Sequence, residues 1–592
     1  MSLLEVAGLT IAYAGVPAPA VENLSFSLKR GESLGIAGES GSGKTQTALG
    51  IMGLLPPNAH ARGRILFDGT DLLGESPKVL NRFRARRMAM VFQDPKMSLN
   101  PYQRIGDQLT CVLQEHRVAR GKDARMRAIE LLRRVRLPDA ERRYRAWPHQ
   151  LSGGMRQRVM IALALSCEPE LLIADEPTTA LDVTVQAQVL ALLQEIRAST
   201  GIALLLITHD LGVIAENCER MLVMHRGRPL EQGATTEIFA RPTETITKSM
   251  LAATRRLYDA PPRLPPGSSS RVLSVDDIRV TFEGPRPAWG GRKSYGAVRS
   301  VSFSLEPGET LAVVGESGCG KTTLARVIAG LVRPDGGSVH LCGKPLAAEV
   351  RLRRPTERHQ LQMVFQDPLA SLDPSMKVGA IVGEPVALHE PGLGGKARRD
   401  RIIAAVSRVG LDASLLRRFP HELSGGQAQR VSIARALVPA PKILICDEAV
   451  AALDGTARTA VLELLQNEQR RSGLSMVFIT HDLAVVRQIS HRILVMYMGR
   501  VCELADNEGL FGRPRHPYTR ALINSMPVAD PARGPRPAPV SGEVALRGIP
   551  RGCPFHPRCE YAIPRCAAEM PERRTIGGVE VACHRAEELD LS

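Results

Sequence analysis

The chain has 592 residues, which is too long for one compact domain and predicts several. Hydrophobic residues make up 44% and charged residues 23%, the balance of a globular protein rather than of a disordered chain. The formal net charge is +16, but the arginines are dispersed and no aromatic-basic motif typical of RNA binding occurs, so we expect no nucleic-acid partner. No apolar run of about 18 residues occurs, and the N-terminus lacks the pattern of a secretory signal. We therefore expect a cytoplasmic protein without a membrane span.

The first chemical motif is a glycine-rich loop. A strand near Leu3–Tyr13 comes first, and a second apolar stretch, Gly35–Ala37, runs into GESGSGKT at Gly38–Thr45. Glycines let backbone N–H groups point around a phosphate, and the helix that follows adds a favourable dipole. In such a loop Lys44 can reach the β- and γ-phosphates and the Thr45 hydroxyl can ligate Mg²⁺. The predicted nucleotide ligands of this loop are Gly38, Ser40, Gly41, Gly43, Lys44 and Thr45.

The next motif is a pair of carboxylates after an apolar run. Leu171–Ala174 is typical of a buried parallel strand, and Asp175 and Glu176 follow it. At the edge of the sheet beside the phosphate loop, the aspartate can hold Mg²⁺ through water and the glutamate can polarise an attacking water. An acidic pair that caps a neighbouring helix is the alternative, and the loop upstream favours the nucleotide site. The alternation of strands and helices predicts an α/β fold with a largely parallel sheet.

Each motif recurs once, which indicates that a whole domain is duplicated. The offset is 277 residues between Lys44 and Lys321, 273 between Gln93 and Gln366, and 272 for the three later motifs. A chance glycine-rich turn does not explain two matches with the same downstream partners. The predicted nucleotide and Mg²⁺ ligands of the second copy are Gly315, Ser317, Gly318, Gly320, Lys321, Thr322 and Asp447, with Glu448 beside them.

The repeat also predicts the domain boundaries. We expect a first ATPase domain over 1–257, a Pro/Ser-rich linker over 258–271, a second ATPase domain over 272–515 and an extension with a cysteine cluster over 516–592. A further insert, GPRPAWGGRKSY, follows Glu283 between the first two strands of the second copy.

The motifs LSGGM at Leu151–Met155 and LSGGQ at Leu423–Gln427 complete the pattern. With them the sequence resembles the ATP-binding cassette (ABC) transporter ATPases over nearly its whole length. The resemblance implies two P-loop ABC-type nucleotide-binding domains in tandem, each with a helical signature subdomain. It also implies head-to-tail pairing, in which Ser152, Gly153 and Gly154 complete the site of Lys321. Ser424, Gly425 and Gly426 would complete the site of Lys44.

The same resemblance assigns further roles. Gln93 and Gln366 would sense Mg²⁺ or water, and His209 and His481 would contact the γ-phosphate. Leu181-Asp182 and Leu453-Asp454 match the loop that links the two sites. Tyr13 is the candidate for stacking on adenine in the first copy, and Phe282 or Tyr295 in the second, although a core aromatic explains them equally well. Both copies keep every catalytic group, so we expect two hydrolysing sites.

The extension reads RHPYTRALINSMP and then carries four clustered cysteines. It resembles the C-terminal module of ABC ATPases that serve peptide and nickel importers. This implies an ATPase that energises uptake of di- or oligopeptides through two separate transmembrane permease subunits, with a periplasmic or extracellular solute-binding protein delivering the substrate. The expected location is the cytoplasmic face of the bacterial inner membrane. The sequence leaves nickel, glutathione or another small solute open as alternative substrates. The first copy departs from the pattern, because ARPTETITKSML follows Phe239 and no cysteine cluster comes after it.

The four cysteines are Cys553, Cys559, Cys566 and Cys583. Four thiolates can hold a four-iron four-sulfur cluster or a zinc ion, and free structural thiols are the third alternative. The absence of a close CxxC pair disfavours a zinc ribbon. The resemblance to oligopeptide importer ATPases favours the iron–sulfur cluster, with His556 and His584 as bystanders.

A soluble translation factor with two cassettes is the main rival of another class. Proteins of that class join their cassettes by a long charged helix, whereas residues 258–271 are short and Pro-rich. The importer ATPase is therefore the preferred interpretation.

Overall fold

The computed structural model of the chain describes residues 2–178, 181–256, 271–283, 294–450, 453, 455–533, 540, 542 and 551–591. They divide into two compact units. Unit 1 comprises Met1–Arg255 and Ser525–Gly542, and unit 2 comprises Arg256–Asn524 and Glu543–Ser592. The predicted linker, except for Arg271, and most of the insert at 284–295 lie outside the described residues, as does Asp454.

Unit 1 contains two sheets. Its strands are β1 (Ser2–Tyr13), β2 (Val21–Lys29), β3 (Ser33–Gly38), β4 (Ala59–Phe67), β5 (Thr70–Asp71), β6 (Met88–Val91), β7 (Leu171–Asp175), β8 (Ala203–Ile207), β9 (Arg220–His225) and β10 (Arg228–Ala234). The first sheet has the order β2-β1-β4-β5 and is antiparallel. The second has the order β10-β9-β3-β8-β7-β6 and is parallel except for β10.

The helices of unit 1 are α1 (Lys44–Met52), α2 (Pro77–Phe83), α3 (Pro95–Ser98), α4 (Ile105–Glu115), α5 (Gly121–Arg134), α6 (Ala140–Tyr144), α7 (Gly153–Leu165), α8 (Val183–Thr200), α9 (Leu211–Asn217), α10 (Thr235–Ala240) and α11 (Thr245–Arg256). Helices α4 to α7 pack on one another through a core that includes Ile105, Leu109, Leu132 and Val159. They form the helical subdomain that the resemblance implies.

Unit 2 repeats this plan. Its strands are β11 (Leu273–Glu283), β12 (Ser294–Leu305), β13 (Thr310–Val314), β14 (Gly336–Leu341), β15 (Lys344–Pro345), β16 (Leu361–Val364), β17 (Ile443–Asp447), β18 (Ser475–Ile479), β19 (Arg492–Tyr497), β20 (Arg500–Asp506), β21 (Arg574–Ile576) and β22 (Val579–Val581). The orders are β12-β11-β14-β15 and β16-β17-β18-β13-β19-β20-β22-β21. The hairpin β21–β22 comes from the extension and pairs with β20, so it covers a strand edge that would otherwise be open.

The helices of unit 2 are α12 (Lys321–Ala329), α13 (Pro355–Gln360), α14 (Pro368–Ser371), α15 (Val378–His389), α16 (Gly395–Arg408), α17 (Gly425–Leu437), α18 (Gly455–Ser472), α19 (Leu483–Ile489), α20 (Asn507–Gly512), α21 (Pro517–Asn524) and α22 (Pro564–Ala568). Among the helices in the described part of the chain, none combines the length and apolar character that a membrane span requires.

The predicted apolar strands are confirmed. All five residues of β7 and of β17 are buried, as expected for strands covered on both faces. The phosphate-loop strands β3 and β13 lie inside their sheets, with neighbours on both sides. The carboxyl ends of β3 and β7 therefore meet at the same sheet edge, and the loop and the carboxylates follow them there.

One segment of the extension packs on the first cassette. Ser525–Gly542 groups with unit 1, while the boundaries predicted from the sequence stay predictions. There Val528 N–H donates to Glu216 Oε1 at 2.9 Å, and Pro527 packs so closely on Gly212 that an added Cβ would lie 3.0 Å from it. The second copy carries Ala484 where the first has Gly212. A Pro-rich segment without periodicity gives no sequence signal for such a docking.

Candidate active site

Each phosphate loop holds its lysine in the same way. Lys44 Nζ donates to the carbonyls of Gly38 and Glu39 at 2.7 and 2.8 Å. Lys321 Nζ donates to those of Gly315 and Glu316 at 2.6 and 3.1 Å. Both ammonium groups are nearly buried, with 6% and 5% of Lys44 and Lys321 exposed. A charge folded back on loop carbonyls is poised to turn toward a phosphate, whose negative charge would compensate for its burial.

The glycine before each lysine is required by the backbone. Gly43 has a φ of 96° and Gly320 a φ of 103°, in the left-handed region that glycine adopts without cost. A Cβ on Gly43 would lie 2.4 Å from the Ala20 carbonyl oxygen, and one on Gly320 would lie 2.2 Å from that of Ala297. Each loop therefore passes close to a backbone carbonyl of another segment, where no side chain fits.

The carboxylates that end β7 and β17 lie beside these loops. Burial raises the pKa of Asp175 to about 6, although a hydrogen bond from Thr45 and the charge of Lys44 act against it. Burial likewise raises the pKa of Asp447, whose Oδ1 accepts from Thr322 Oγ1 at 3.1 Å. Asp175 Oδ1 is buried without a hydrogen-bond partner within the described residues. A threonine hydroxyl beside such a carboxylate fits a divalent cation, so the residues present suit Mg²⁺.

The two glutamates each contact a glutamine and a histidine. Gln93 Nε2 donates to Glu176 Oε2 at 3.0 Å, and His209 Nδ1 lies 3.2 Å from Glu176 Oε1. In the second copy Gln366 Nε2 donates to Glu448 Oε2 at 2.7 Å, and His481 Nδ1 lies 3.3 Å from Glu448 Oε1. The structure thus brings together the predicted glutamine, glutamate and histidine in both copies, although 83 residues separate Gln93 from Glu176.

The backbone and charge of these glutamates are unusual. Glu176 has a φ of 45° and Glu448 a φ of 50°, a conformation that costs energy in a residue with a side chain. Burial acts to raise the pKa of Glu448, but His481, Lys321 and Gln366 outweigh it and hold that pKa below its ordinary value. A carboxylate that stays ionised while partly buried can polarise a water molecule.

The signature serines both cap a helix. Ser152 Oγ accepts from Met155 N–H at 3.2 Å at the start of α7, and Ser424 Oγ accepts from Gln427 N–H at 3.3 Å at the start of α17. Gln427 Oε1 also accepts a hydrogen bond from the Ser424 N–H. Met155, at the same position of the first copy, has no side-chain oxygen that could do so. Ser152, Gly153, Ser424 and Gly425 are exposed. Helix starts of this kind favour anions, and their pairing with the opposite phosphate loops stays a prediction.

The adenine candidates lie in different surroundings. Tyr13 is partly buried against the core of unit 1 and its hydroxyl donates to Gln46. In unit 2 Phe282 is 46% exposed and pairs in register with Tyr295 across β11 and β12. The Tyr295 hydroxyl donates to the Gly318 carbonyl at 2.8 Å, which ties this ring to the phosphate loop. Asp182 immediately precedes α8, and Leu181 and Leu453 are buried.

Comparison with known families decides the assignment. Residues 21–179 and 298–451 match the family described as ABC transporter, and together they cover more than half of the chain. Residues 502–566 match the C-terminal region of oligopeptide/dipeptide transporters. The chain belongs to the ABC transporter ATPases of the oligopeptide/dipeptide importer family. It is therefore an ATPase with two cassettes, as the repeat and the signature motifs predict.

Individual relatives agree with this family. The glutathione import ATP-binding protein GsiA of Pectobacterium atrosepticum is 43% identical over 579 residues, covering 90% of this chain and 91% of the relative. The protein of the same name from Salmonella typhimurium is 42% identical over 569 residues, with 90% of each covered. Among solved structures, the dimeric post-hydrolysis cassette MJ0796 bound to ADP and phosphate is 27% identical, with a TM-score of 0.36. It covers 40% of this chain and 98% of its own.

The four clustered cysteines line one pocket together with Phe555, His516 and Leu589. Burial raises the pKa of Cys559 to about 12 and that of Cys583 to about 11. Within the described residues, no group of three or more His, Cys, Asp or Glu side chains is arranged to hold a metal ion. His556 and His584 also line the pocket.

Proposed function

We propose that this chain hydrolyses ATP at two sites and thereby drives the uptake of glutathione or a related short peptide. It would work with two permease subunits and a solute-binding protein, as a peripheral subunit at the cytoplasmic face of the inner membrane. The observation that carries the catalytic part is the glutamine–glutamate–histidine contact, which recurs at Glu176 and at Glu448 with distances of 2.7 to 3.3 Å.

In each site the chain's groups divide the work. The lysine neutralises the β- and γ-phosphates, while the threonine and aspartate hold Mg²⁺. The glutamate polarises a water, whose oxygen bonds to the γ-phosphorus as the bond to the bridging β–γ oxygen breaks. Gln93 and His209 orient that glutamate in the first copy, and Gln366 and His481 do so in the second.

We propose that the signature serine and glycines of each cassette close the phosphate loop of the other. Ser152, Gly153, Ser424 and Gly425 are exposed at the starts of α7 and α17, and this supports the proposal because helix starts favour an anion such as a γ-phosphate. The same pairing explains why one chain carries two complete cassettes.

Glutathione is the substrate that the relatives favour. Two relatives with that name match 90% of this chain, and glutathione is itself a tripeptide, so it agrees with the peptide-importer extension. We propose uptake of labelled glutathione as the assay, in cells that produce this chain together with its permease and binding-protein subunits. Unlabelled di- and tripeptides and Ni²⁺ serve as competitors.

If unlabelled glutathione inhibits uptake at a lower concentration than the other competitors do, the result supports glutathione as the substrate. Stronger competition by an unrelated dipeptide assigns a general peptide substrate instead. Transport of nickel without transport of glutathione contradicts the peptide class and leaves the ATPase assignment intact.

We propose further that Cys553, Cys559, Cys566 and Cys583 hold a four-iron four-sulfur cluster. The four thiols line one pocket together with Phe555 and Leu589, and Arg585 N–H lies 3.4 Å from Cys583 Sγ, a bond typical of cluster ligands. Such a cluster would serve structure or regulation, since it lies outside the nucleotide residues.

Iron and acid-labile sulfide content after anaerobic purification tests this proposal, together with visible absorption. We expect close to four irons per chain and their loss in Cys559→Ser, with Cys342→Ser, an exposed cysteine in the same unit, as the matched control. Stoichiometric zinc, or a chain free of metal, contradicts the proposal.

A further inference from the structure

An arginine of the cysteine-bearing extension reaches the second phosphate loop. Arg558 Nη1 lies 2.7 Å from Glu316 Oε2, and Arg558 Nη2 lies 3.0 Å from Glu316 Oε1. The pair is bidentate and buried, with 7% of the Arg558 side chain and 4% of the Glu316 side chain exposed. Burial acts to lower the pKa of Arg558, but its bonds to Glu316 outweigh this and raise it above its ordinary value. The guanidinium therefore stays charged and tied to the carboxylate.

Glu316 is part of the loop that cradles the nucleotide. It follows Gly315 in GESGCGKT, and its carbonyl accepts from Lys321 Nζ at 3.1 Å. Its N–H donates to the Tyr518 hydroxyl at 2.9 Å. The backbone on one side of this residue thus contacts the catalytic lysine, while its side chain contacts Arg558. Glu316 thus links Arg558 to the backbone carbonyl that Lys321 contacts.

An aromatic cluster fixes Arg558 in this position. Phe555 is 2% exposed, and its ring centroid lies 5.5 Å from that of Tyr497 and 5.3 Å from that of Tyr518. The Tyr497 hydroxyl accepts from Arg558 Nη1 at 3.2 Å. Tyr497 ends strand β19 and Tyr518 lies in α21, so the short turn that carries Phe555 and Arg558 is anchored on the second cassette itself.

The same turn lies between two of the pocket cysteines. Cys553 and Cys559 flank the stretch from Pro554 to Arg558, and Cys553 N–H donates to the Cys566 carbonyl at 2.8 Å. The turn that carries Arg558 is therefore connected at both ends to cysteines that line the pocket.

The first cassette is built differently. Glu39 occupies the position of Glu316, and its Oε2 lies 3.6 Å from Nδ1 of His225, the residue that corresponds to Tyr497. The chain carries one cysteine-bearing extension, and Arg558 belongs to the second unit with Glu316. The two nucleotide sites therefore differ in how their loops are supported, although their catalytic groups are the same.

We propose that Arg558 is a positioning residue for the second phosphate loop, through which the extension sets the nucleotide affinity of the Lys321 site independently of the Lys44 site. The proposal needs ATP binding at Lys321, but it depends neither on the transported solute nor on what the cysteine pocket holds. Arg558 acts through Glu316, whose carboxylate it contacts, so its substitution changes affinity more than the rate of the chemical step.

The test measures binding of a fluorescent non-hydrolysable ATP analogue with Mg²⁺ to the full-length chain. A Lys44→Ala background reports the second site, and a Lys321→Ala background reports the first. We expect Arg558→Met to weaken binding about tenfold at the second site and less than about twofold at the first, because it leaves the Glu316 charge buried without its partner. Arg558→Lys keeps the charge but not the bidentate geometry, so its affinity at the second site should lie between that of Arg558→Met and that of the unaltered arginine.

The double variant separates this role from a general loss of folding. Glu316→Gln alone should also weaken binding, whereas Arg558→Met with Glu316→Gln should recover much of the loss, because neither charge is then left unpaired. Arg565→Met is the matched control, since the Arg565–Glu569 pair of the same extension is exposed. Equal weakening at both sites, unchanged binding at the second, or a double variant no better than the worse single variant would overturn the proposal.

Discussion

The Nδ1 atom of His209 lies 3.2 Å from the Oε1 atom of Glu176. The corresponding distance in the second copy, between His481 and Glu448, is 3.3 Å. Two sites that have diverged in sequence thus keep one geometry around the glutamate that we propose to polarise the attacking water. The first consequence concerns whether both sites hydrolyse ATP.

We predict that Glu176→Gln and Glu448→Gln each lower ATP turnover of the purified chain by more than half. An amide cannot polarise water as a carboxylate does, so both together should lower turnover by about 100-fold or more. Steady-state phosphate release measures this, with Glu195→Gln, an exposed glutamate paired with Arg136, as control. Unchanged turnover in either single variant would mean that its site is inert.

The second prediction concerns pH. Because burial raises the pKa of Asp175 to about 6, this carboxyl becomes neutral as the pH falls below 6 and loses its attraction for Mg²⁺. Affinity of the first site for the Mg²⁺-bound ATP analogue should fall about tenfold between pH 7 and pH 5. The measurement uses the Lys321→Ala background. Asp175→Asn should bind weakly at both pH values, and an equal pH dependence in that variant would contradict the assignment.

The third prediction concerns the close approach at Gly43. Gly43→Ala places a methyl group 2.4 Å from the Ala20 carbonyl oxygen, so we expect loss of analogue binding at the first site and a lower free energy of unfolding. Gly15→Ala is the matched control, because Gly15 has a φ of 81° but no atom within 4 Å of an added Cβ. Its free energy of unfolding should fall by only about 1 kcal/mol, the cost of placing an alanine in the left-handed region. Denaturant unfolding and analogue titration compare the two, and equal behaviour would contradict the clash.

The fourth prediction separates the adenine candidates of the second site. Tyr295→Ala should weaken analogue binding there more than Phe282→Ala, because the Tyr295 ring lies beside the phosphate loop at Gly318, where it can stack on adenine, whereas Phe282 is exposed. Tyr295→Phe keeps the ring and should retain most of the affinity. Titration in the Lys44→Ala background makes the comparison. A larger loss in Phe282→Ala would assign the stacking role to Phe282.

Much of the fold could be predicted because its signals are local. Apolar runs such as Leu171–Ala174 end in polar residues at the sheet edge, and both copies repeat them, so β7 and β17 and their carboxylates follow from the sequence. The contact of Gln93 and His209 with Glu176 is different. Periodicity does not bring them together, and only the family resemblance linked them to one site.

Two features could not be predicted because their partners are distant and lack a pattern. Arg558 is one of 77 lysines and arginines, and Glu316 lies 242 residues before it, so nothing in the spacing pairs them. Pro527 and Val528 lie in a stretch typical of a linker, yet they pack on Gly212 and Glu216 of the first cassette. In both cases the contact is determined by tertiary packing. A polar or Pro-rich segment has no hydrophobic periodicity from which that contact could be predicted.

The most direct measurement is uptake of labelled glutathione by cells that produce the chain with Glu176→Gln and Glu448→Gln together, compared with the unaltered chain at equal protein levels. The account predicts that uptake is lost, because both sites would bind ATP without turning it over. Uptake that continues at the unaltered rate would contradict the claim that hydrolysis at these two glutamates drives import.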